Sequence, residues 1–368
     1  METVVHSSTS SSRERLPRTG ALVSLIVAVA LSLVVTVLFE LRMRQAGIAP
    51  NVHDTKELWA SERARASALG DRALILVGDS RMQLDVDLAT LAAATGLQPV
   101  QLAIDGSHYL PVLEDLADDP EVTGMVLVGA ETWKLLTGYE RGRCEEWVGF
   151  YRNSFRGLWA PALEAKLKGW VQSWSALYAS GIPWQRLWPL LLKKDSSIRQ
   201  SYLSMRPSRQ RDADYRLVKQ PDFYIGRVVR NLGQDVDFSR IRSMNDFVVE
   251  VRKKLAESPP RGGVDVAKFE YANKLINRIL DRGGRIVLVN FPTSGLVREI
   301  DESRWPRSMG WDRFAASTRA PTIHFMDYPE LQFQLPDGSH LDVKDKVVFT
   351  TALSKIVMGA GGEKLYRR

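Results

Sequence analysis

A serine hydroxyl becomes a nucleophile only when a base removes its proton. Three residues of this chain have the types for that chemistry. Ser80 stands in Gly78-Asp79-Ser80-Arg81, and Asp337 and His340 stand in Leu335-Pro336-Asp337-Gly338-Ser339-His340-Leu341-Asp342. A carboxylate three residues before an imidazole on one loop can orient the ring nitrogen that faces away from the serine. The other ring nitrogen then takes the serine proton and later returns it to a leaving group. Each motif alone is weak. A Gly-Asp-Ser triplet arises by chance in roughly one chain in ten of this length. A DGS turn accounts for Asp337 and Gly338 with no chemistry at all.

Position gives the motifs their weight. Five β-branched-rich runs read as buried strands: residues 73–77, 99–104, 125–128, 285–289 and 322–326. They lack strict alternation, as strands covered on both faces do. Helical patterns at 87–95, 109–117, 265–281 and 343–358 fall between or after them. Strand–helix alternation predicts an α/β fold on a parallel sheet with right-handed crossovers. Ser80 then lies just past the carboxyl end of the first strand, where open α/β sheets hold their ligands. Asp337 and His340 fall on the loop before the last helix.

This arrangement resembles the SGNH, or GDSL, hydrolase superfamily. The resemblance covers about residues 72–133 and 265–358, and its specific content is GDS at Gly78 to Ser80 and DGSH at Asp337 to His340. It implies a flavodoxin-like parallel sheet with helices on both faces. It implies Ser–His–Asp chemistry on esters, with Ser80, His340 and Asp337 catalytic and no cofactor. Gly106 matches the glycine whose N–H completes an oxyanion hole with that of Ser80, and a strand-end turn explains Gly106 equally well. The family's third block supplies an Asn donor to the oxyanion, but here Glu131 stands at that place. An ionised Glu only accepts hydrogen bonds, and one lost donor typically costs about 10²–10³ in rate. Thr132, His108 and Asn290 are substitute donors by position. Arg81 either neutralises Glu131, binds an anionic substrate, or is a plain surface charge.

The rest of the chain divides by character. Residues 1–19, with a Ser/Thr run and three arginines, read as a disordered basic tail. Residues 20–41 read as a transmembrane anchor: residues 21–39 form an unbroken apolar run, long enough to cross the hydrocarbon core. A cleavable signal peptide is the rival, although its apolar stretch is usually about 7–15 residues. Residues 42–70 are a linker with a helix. Residues 71–139 and 264–368 make the α/β domain, and residues 140–263 make a mostly helical insertion rich in Trp and Arg. Its tryptophans have three readings: a packed core, a sugar-stacking groove, and contact with a bilayer surface, the last centred on residues 183–194.

The formal net charge of +7 is compatible with solubility alone, and no nucleic-acid-binding signature accompanies it. The single Cys144 excludes an internal disulfide framework and a cysteine-built zinc site. Asp337, Asp342 and Asp345 do not fit a calcium-loop spacing, so no metal is expected. The expectation is a single-pass protein of the cell inner membrane with its domain in the periplasm. It is a serine esterase or O-acyltransferase acting on acyl esters, acetyl above all, of a cell-surface polysaccharide or other acylated glycan. Membrane-anchored members of the superfamily serve beside a multi-pass acyl-transferring partner. The alternative is a non-catalytic envelope assembly or polysaccharide-binding protein on the same fold.

Overall fold

The computed structural model describes residues 18–136, 142–178, 200–258 and 266–358. The tail at residues 1–17 and the segment at 183–194 lie outside the described residues. Residues 50–181 and 200–368 form one compact unit, and the N-terminal helix α1 (Arg18–Gln45) belongs to another. Helix α1 is long and apolar enough to cross a membrane.

In the larger unit, the strands are β1 (Ala73–Val77), β2 (Gln98–Gln101), β3 (Met125–Gly129), β4 (Leu203–Met205), β5 (Arg211–Ala213), β6 (Arg285–Asn290) and β7 (Thr322–His324). Five of them make a fully parallel sheet in the order β2-β1-β3-β6-β7. Strands β1 and β3 are buried throughout, which is why they read as continuous apolar runs. Counted along the sheet the order is 2-1-3-4-5, so the winding reverses between β1 and β3. Ligands of such sheets bind at that crevice.

Side chains of a strand alternate between its two faces, and each face has its own core. Ile75, Val77, Val126, Val128, Ile286 and Leu288 pack with Trp59, Leu113 and Ile276. These last three come from α2 (Lys56–Leu69), α5 (Leu110–Ala117), and a helix at Val266–Asp281. Leu74, Leu76, Leu127, Val287 and Val289 pack with Met82, Leu88, Phe349 and Leu353. Met82 lies on α3 (Ser80–Asp85) and Leu88 on α4 (Leu88–Thr95). Phe349 and Leu353 lie on the last described helix, Lys346–Met358. Helices thus cover both faces.

The second strand stops at Gln101, three residues before the expected end, yet Leu102 N–H and Ile104 N–H still donate to the Leu76 and Gly78 carbonyls at 2.8 and 3.0 Å. The last strand stops at His324 rather than 326, because the chain turns into a short helix at Phe325–Asp327. There the His324 ring accepts the Met326 N–H at 3.3 Å.

Between β3 and β6 the described chain contains helices and one antiparallel hairpin, β4–β5. The helices are α6 (Thr132–Leu136), α7 (Arg143–Phe150), α8 (Trp159–Trp174), α9 (Asp222–Leu232), α10 (Met244–Ala256) and α11 (Val266–Asp281). The hairpin's Arg209 is fully buried. It donates to both Asp54 oxygens at 2.8 and 3.0 Å, and to the carbonyls of Gln101 and Ala103 at 2.7 and 3.0 Å. Two further helices, α12 (Gly295–Arg304) and α13 (Trp311–Ser317), join β6 to β7, and α14 (Lys346–Met358) follows.

Trp59 ties α2 to the sheet. It is fully buried, and its indole N–H donates to the Leu102 carbonyl at 2.9 Å. Trp59→Phe keeps most of the apolar contact but strands that carbonyl, so it should cost about 1–3 kcal/mol of stability. Trp59→Ala should cost about 3–5 kcal/mol. Equilibrium denaturation checks both, and a Phe variant as stable as the wild type would contradict the role assigned to the indole N–H.

Candidate active site

Strand β1 runs into Gly78, where a side chain would be tightly crowded. A Cβ there would lie 3.1 Å from that of Met82 and 3.4 Å from the Gly129 backbone. Asp79 caps the helix that follows, its carboxylate accepting the Arg81 N–H at 3.0 Å. Ser80 is therefore the first residue of α3, half-buried, with its hydroxyl at the carboxyl edge of the sheet. It sits beside the point where the strand order reverses.

The partner loop arrives from 260 residues further along the chain. His340 Nε2 lies 2.9 Å from Ser80 Oγ, and His340 Nδ1 lies 2.8 Å from Asp337 Oδ2. Asp337 Oδ1 accepts the backbone N–H groups of Ser339 and His340, each at 2.8 Å. The three residues singled out from sequence thus form one hydrogen-bonded chain. With Nδ1 protonated and donating to Asp337, Nε2 is left to accept the Ser80 proton, the tautomer a general base needs. Gly338 holds the turn with φ of +78°. A Cβ on it would come within 2.5 and 2.8 Å of Val297 atoms.

Two further residues, not anticipated from sequence, complete this side. Arg227 of α9 donates from Nε and Nη2 to Asp337 Oδ2 at 3.1 and 2.9 Å. Its Nη2 also lies 2.9 Å from His340 Nδ1. Burial would raise the Asp337 carboxyl, but the His340 hydrogen bond, the charges of His340 and Arg227, and the Ser339 N–H together hold it below the ordinary range. Asp85, on the nucleophile's own helix, is buried and accepts the Leu341 N–H at 2.9 Å. It links the serine helix to the histidine loop, and burial pushes its own carboxyl well up.

The oxyanion side differs from the expected pattern. Glu131 is buried, with Oε2 2.6 Å from Lys134 Nζ and Oε1 3.8 Å from Arg81. Lys134 also donates to Asp79 at 2.7 Å. Burial alone would lower the Lys134 ammonium, but the charges of Asp79 and Glu131 raise it instead. Glu131 is raised by burial and by Asp79, against Lys134 and Arg81. A buried cation therefore neutralises the glutamate that replaces the amide donor. Its spacing from Glu131 was the available sequence signal: Glu131 stands just before the first turn of α6, and the Lys134 N–H donates back to its carbonyl at 3.0 Å.

The remaining candidates have these places. Gly106 lies exposed in a turn, φ +67°, closed by the Ser107 N–H donating to the Ile104 carbonyl. Ile104 in turn donates to Gly78, so the turn follows directly from the edge of the serine loop. Asn290 accepts from the Thr132 hydroxyl and N–H at 3.2 and 3.3 Å once its amide oxygen faces them, and donates to the Phe291 carbonyl. His108 donates to the Lys134 carbonyl at 3.0 Å and accepts the Leu110 N–H, and burial lowers it to about 4. Its ring is thus neutral and braces α6. Arg81 sits between Glu131 and Asp301, 3.8 and 3.7 Å away.

Arg81, Glu131 and Asn290 also line a small cleft of about 40 Å³ with Trp133 and Trp305, whose ring centres are 6.4 Å apart. Across this cleft burial raises the Asp301 carboxyl to about 6, in spite of Arg81. Ser80 and His340 are outside the cleft's lining, and the link to them runs through Arg81. The chain matches no protein-family model and no curated protein at a significant level.

Two predictions follow from the geometry. Gly338→Ala must displace Val297 or the turn, and a shift near 1 Å at a reacting group can cost about 10²-fold in rate. The acylation of Ser80 by an activated ester should slow accordingly, and Val297→Ala should recover part of the loss. An unchanged rate in Gly338→Ala would contradict a rigid loop. The second concerns charge. The Asp337 carboxylate is depressed in the fold, so it stabilises above the unfolded value near about 3.9 and loses that contribution as pH falls through the folded one. Arg227→Gln weakens the depression. Because the unfolded chains titrate alike, its stability deficit in urea melts should be constant while Asp337 is ionised in both folded proteins, and should shrink only as pH falls through the variant's folded value, below about 4; a deficit that stays constant down to the acid unfolding of both proteins would refute the assignment.

Proposed function

We propose that this chain is an SGNH-type serine esterase or O-acyltransferase, anchored in the membrane by α1 and acting on acyl esters of a cell-surface glycan outside the cytoplasm. The observation that carries the reading is the Ser80–His340–Asp337 chain, with steps of 2.9 and 2.8 Å. The strand order 2-1-3-4-5, with Ser80 at its reversal point, supports a flavodoxin-like frame for it.

In this reading Ser80 Oγ attacks the acyl carbonyl carbon while its proton passes to His340 Nε2. Asp337 holds the ring and its tautomer, and Arg227 holds Asp337. The Ser80 and Gly106 N–H groups receive the negative oxygen. Collapse of the tetrahedral intermediate expels the leaving oxygen, which takes the proton from His340. An acceptor hydroxyl then gives its proton to His340, attacks the Ser80 ester, and leaves with the acyl group as Ser80 regains its proton. With water the reaction is hydrolysis, and with a sugar hydroxyl it is transfer. A multi-pass membrane partner would present the acyl group.

A non-catalytic envelope protein on the same frame is the second reading. The Glu131–Lys134 pair at the place of the oxyanion amide favours it. Acid quenching during turnover of an activated acetyl ester distinguishes the two. The enzyme reading predicts an acetyl group on Ser80 by mass, and turnover lower by about 10⁴-fold or more in both Ser80→Ala and His340→Ala. Turnover that survives in Ser80→Ala would sink it.

A further inference from the structure

We infer that the outer face of α8 rests in the lipid–water boundary of the membrane that α1 is built to cross. At about 100° per residue, Trp159, Ala160, Leu163, Leu167, Trp170, Val171 and Trp174 fall within an arc of about 120° on one side of α8. That whole arc faces solvent. Trp159 is 78% exposed, Trp170 60% and Trp174 67%, with Leu163 and Leu167 near half. The opposite side, Ala165, Gly169 and Gln172, is buried. There a Cβ on Gly169 would sit 3.8 Å from Leu58 of α2. The chain buries Trp59, Trp147 and Trp311 in its cores. Three exposed tryptophans on one helix are therefore a departure from its own habit, and a contiguous apolar surface of this kind marks an interaction site.

Lipid is the occupant that the residue types fit. Trp is the residue of bilayer interfaces, where its ring body meets the acyl region and its N–H stays wet. Lys166 borders one edge of the apolar arc, and Glu164 with Lys168 behind it borders the other, all exposed; the two lysines can meet anionic headgroups. The tether makes the contact reachable. His53 donates its N–H to the Gln172 side chain at 3.1 Å, and its ring lies 2.8 Å from the Tyr178 carbonyl, so the chain leaving α1 is fastened to the end of α8. From Gln45, where α1 ends, to His53 is eight residues, a reach of at most about 29 Å. A folded unit of about 300 residues has a radius of gyration of about 19 Å, so it is wider than this tether is long. The short tether therefore leaves α8 within reach of a bilayer that α1 crosses.

The test uses the full chain in vesicles of phosphatidylcholine and phosphatidylglycerol. A nitroxide is attached in turn at Leu163→Cys, Leu167→Cys and Lys168→Cys, all exposed, with buried Cys144 as the unlabelled background. Collisions with oxygen and with a water-soluble nickel chelate report depth. Labels at 163 and 167 should lie about 5–10 Å below the phosphate level, and the label at 168 in water. Trp159→Ser with Trp170→Ser should return the 163 label to water while α1 stays inserted. Equal chelate access at 163 and 168 would overturn the inference. So would a 163 label shielded from both reagents, which would mean that protein covers the face: a second copy, a partner, or residues 179–199 of this chain.

Discussion

A carboxylate with no exposure to water sits at the carboxyl edge of the sheet, and much of the larger unit is arranged to satisfy it. Asp337 is wholly buried. A buried ionised carboxylate is costly unless every lone pair finds a donor. Two backbone N–H groups of its own turn, two guanidinium nitrogens of Arg227 and the His340 ring supply them. The turn can close only with glycine at 338, the guanidinium must come from α9, and the ring is left in one orientation. The 2.9 Å approach of Nε2 to Ser80 follows from that orientation.

The opposite edge of the serine is held by a second group of buried charges. Lys134 bridges Asp79, which caps the serine helix, and Glu131, which stands where an amide donor is expected. Neutralising a glutamate with an internal lysine keeps net charge away from the reacting carbonyl, but it does not create a donor. Preorganised donors are usually the largest catalytic term in acyl transfer. On the proposed reading this pair makes the acyl chemistry slow, and the buried Lys134 helps hold Asp79, and so the serine turn, in place.

The parts readable from sequence were those with local signals. The central strands β1, β3 and β6 announce themselves as apolar runs because both their faces are buried, and the serine and Asp–His motifs follow from where such strands end. The parts not readable depend on contacts between distant residues. Arg227 meets Asp337 across 110 positions, Arg209 meets Asp54 across 155, and Asp85 meets Leu341 across 256. No periodicity encodes such pairings, and one arginine in a basic chain looks like another. The β4–β5 hairpin was missed because its strands are three residues each, shorter than the alternation that identifies a strand. Lys134 was missed as well, although its spacing of three from Glu131 was there to be read.

The central claim is that Asp337 and His340 make Ser80 unusually nucleophilic. Exposing the folded chain to a fluorophosphonate, then mapping the adduct by intact mass and peptide analysis, tests it most directly. The account predicts one adduct, on Ser80, that is absent in Ser80→Ala and much slower to form in His340→Ala. No adduct on the folded wild-type chain, or one that persists in Ser80→Ala, would contradict it.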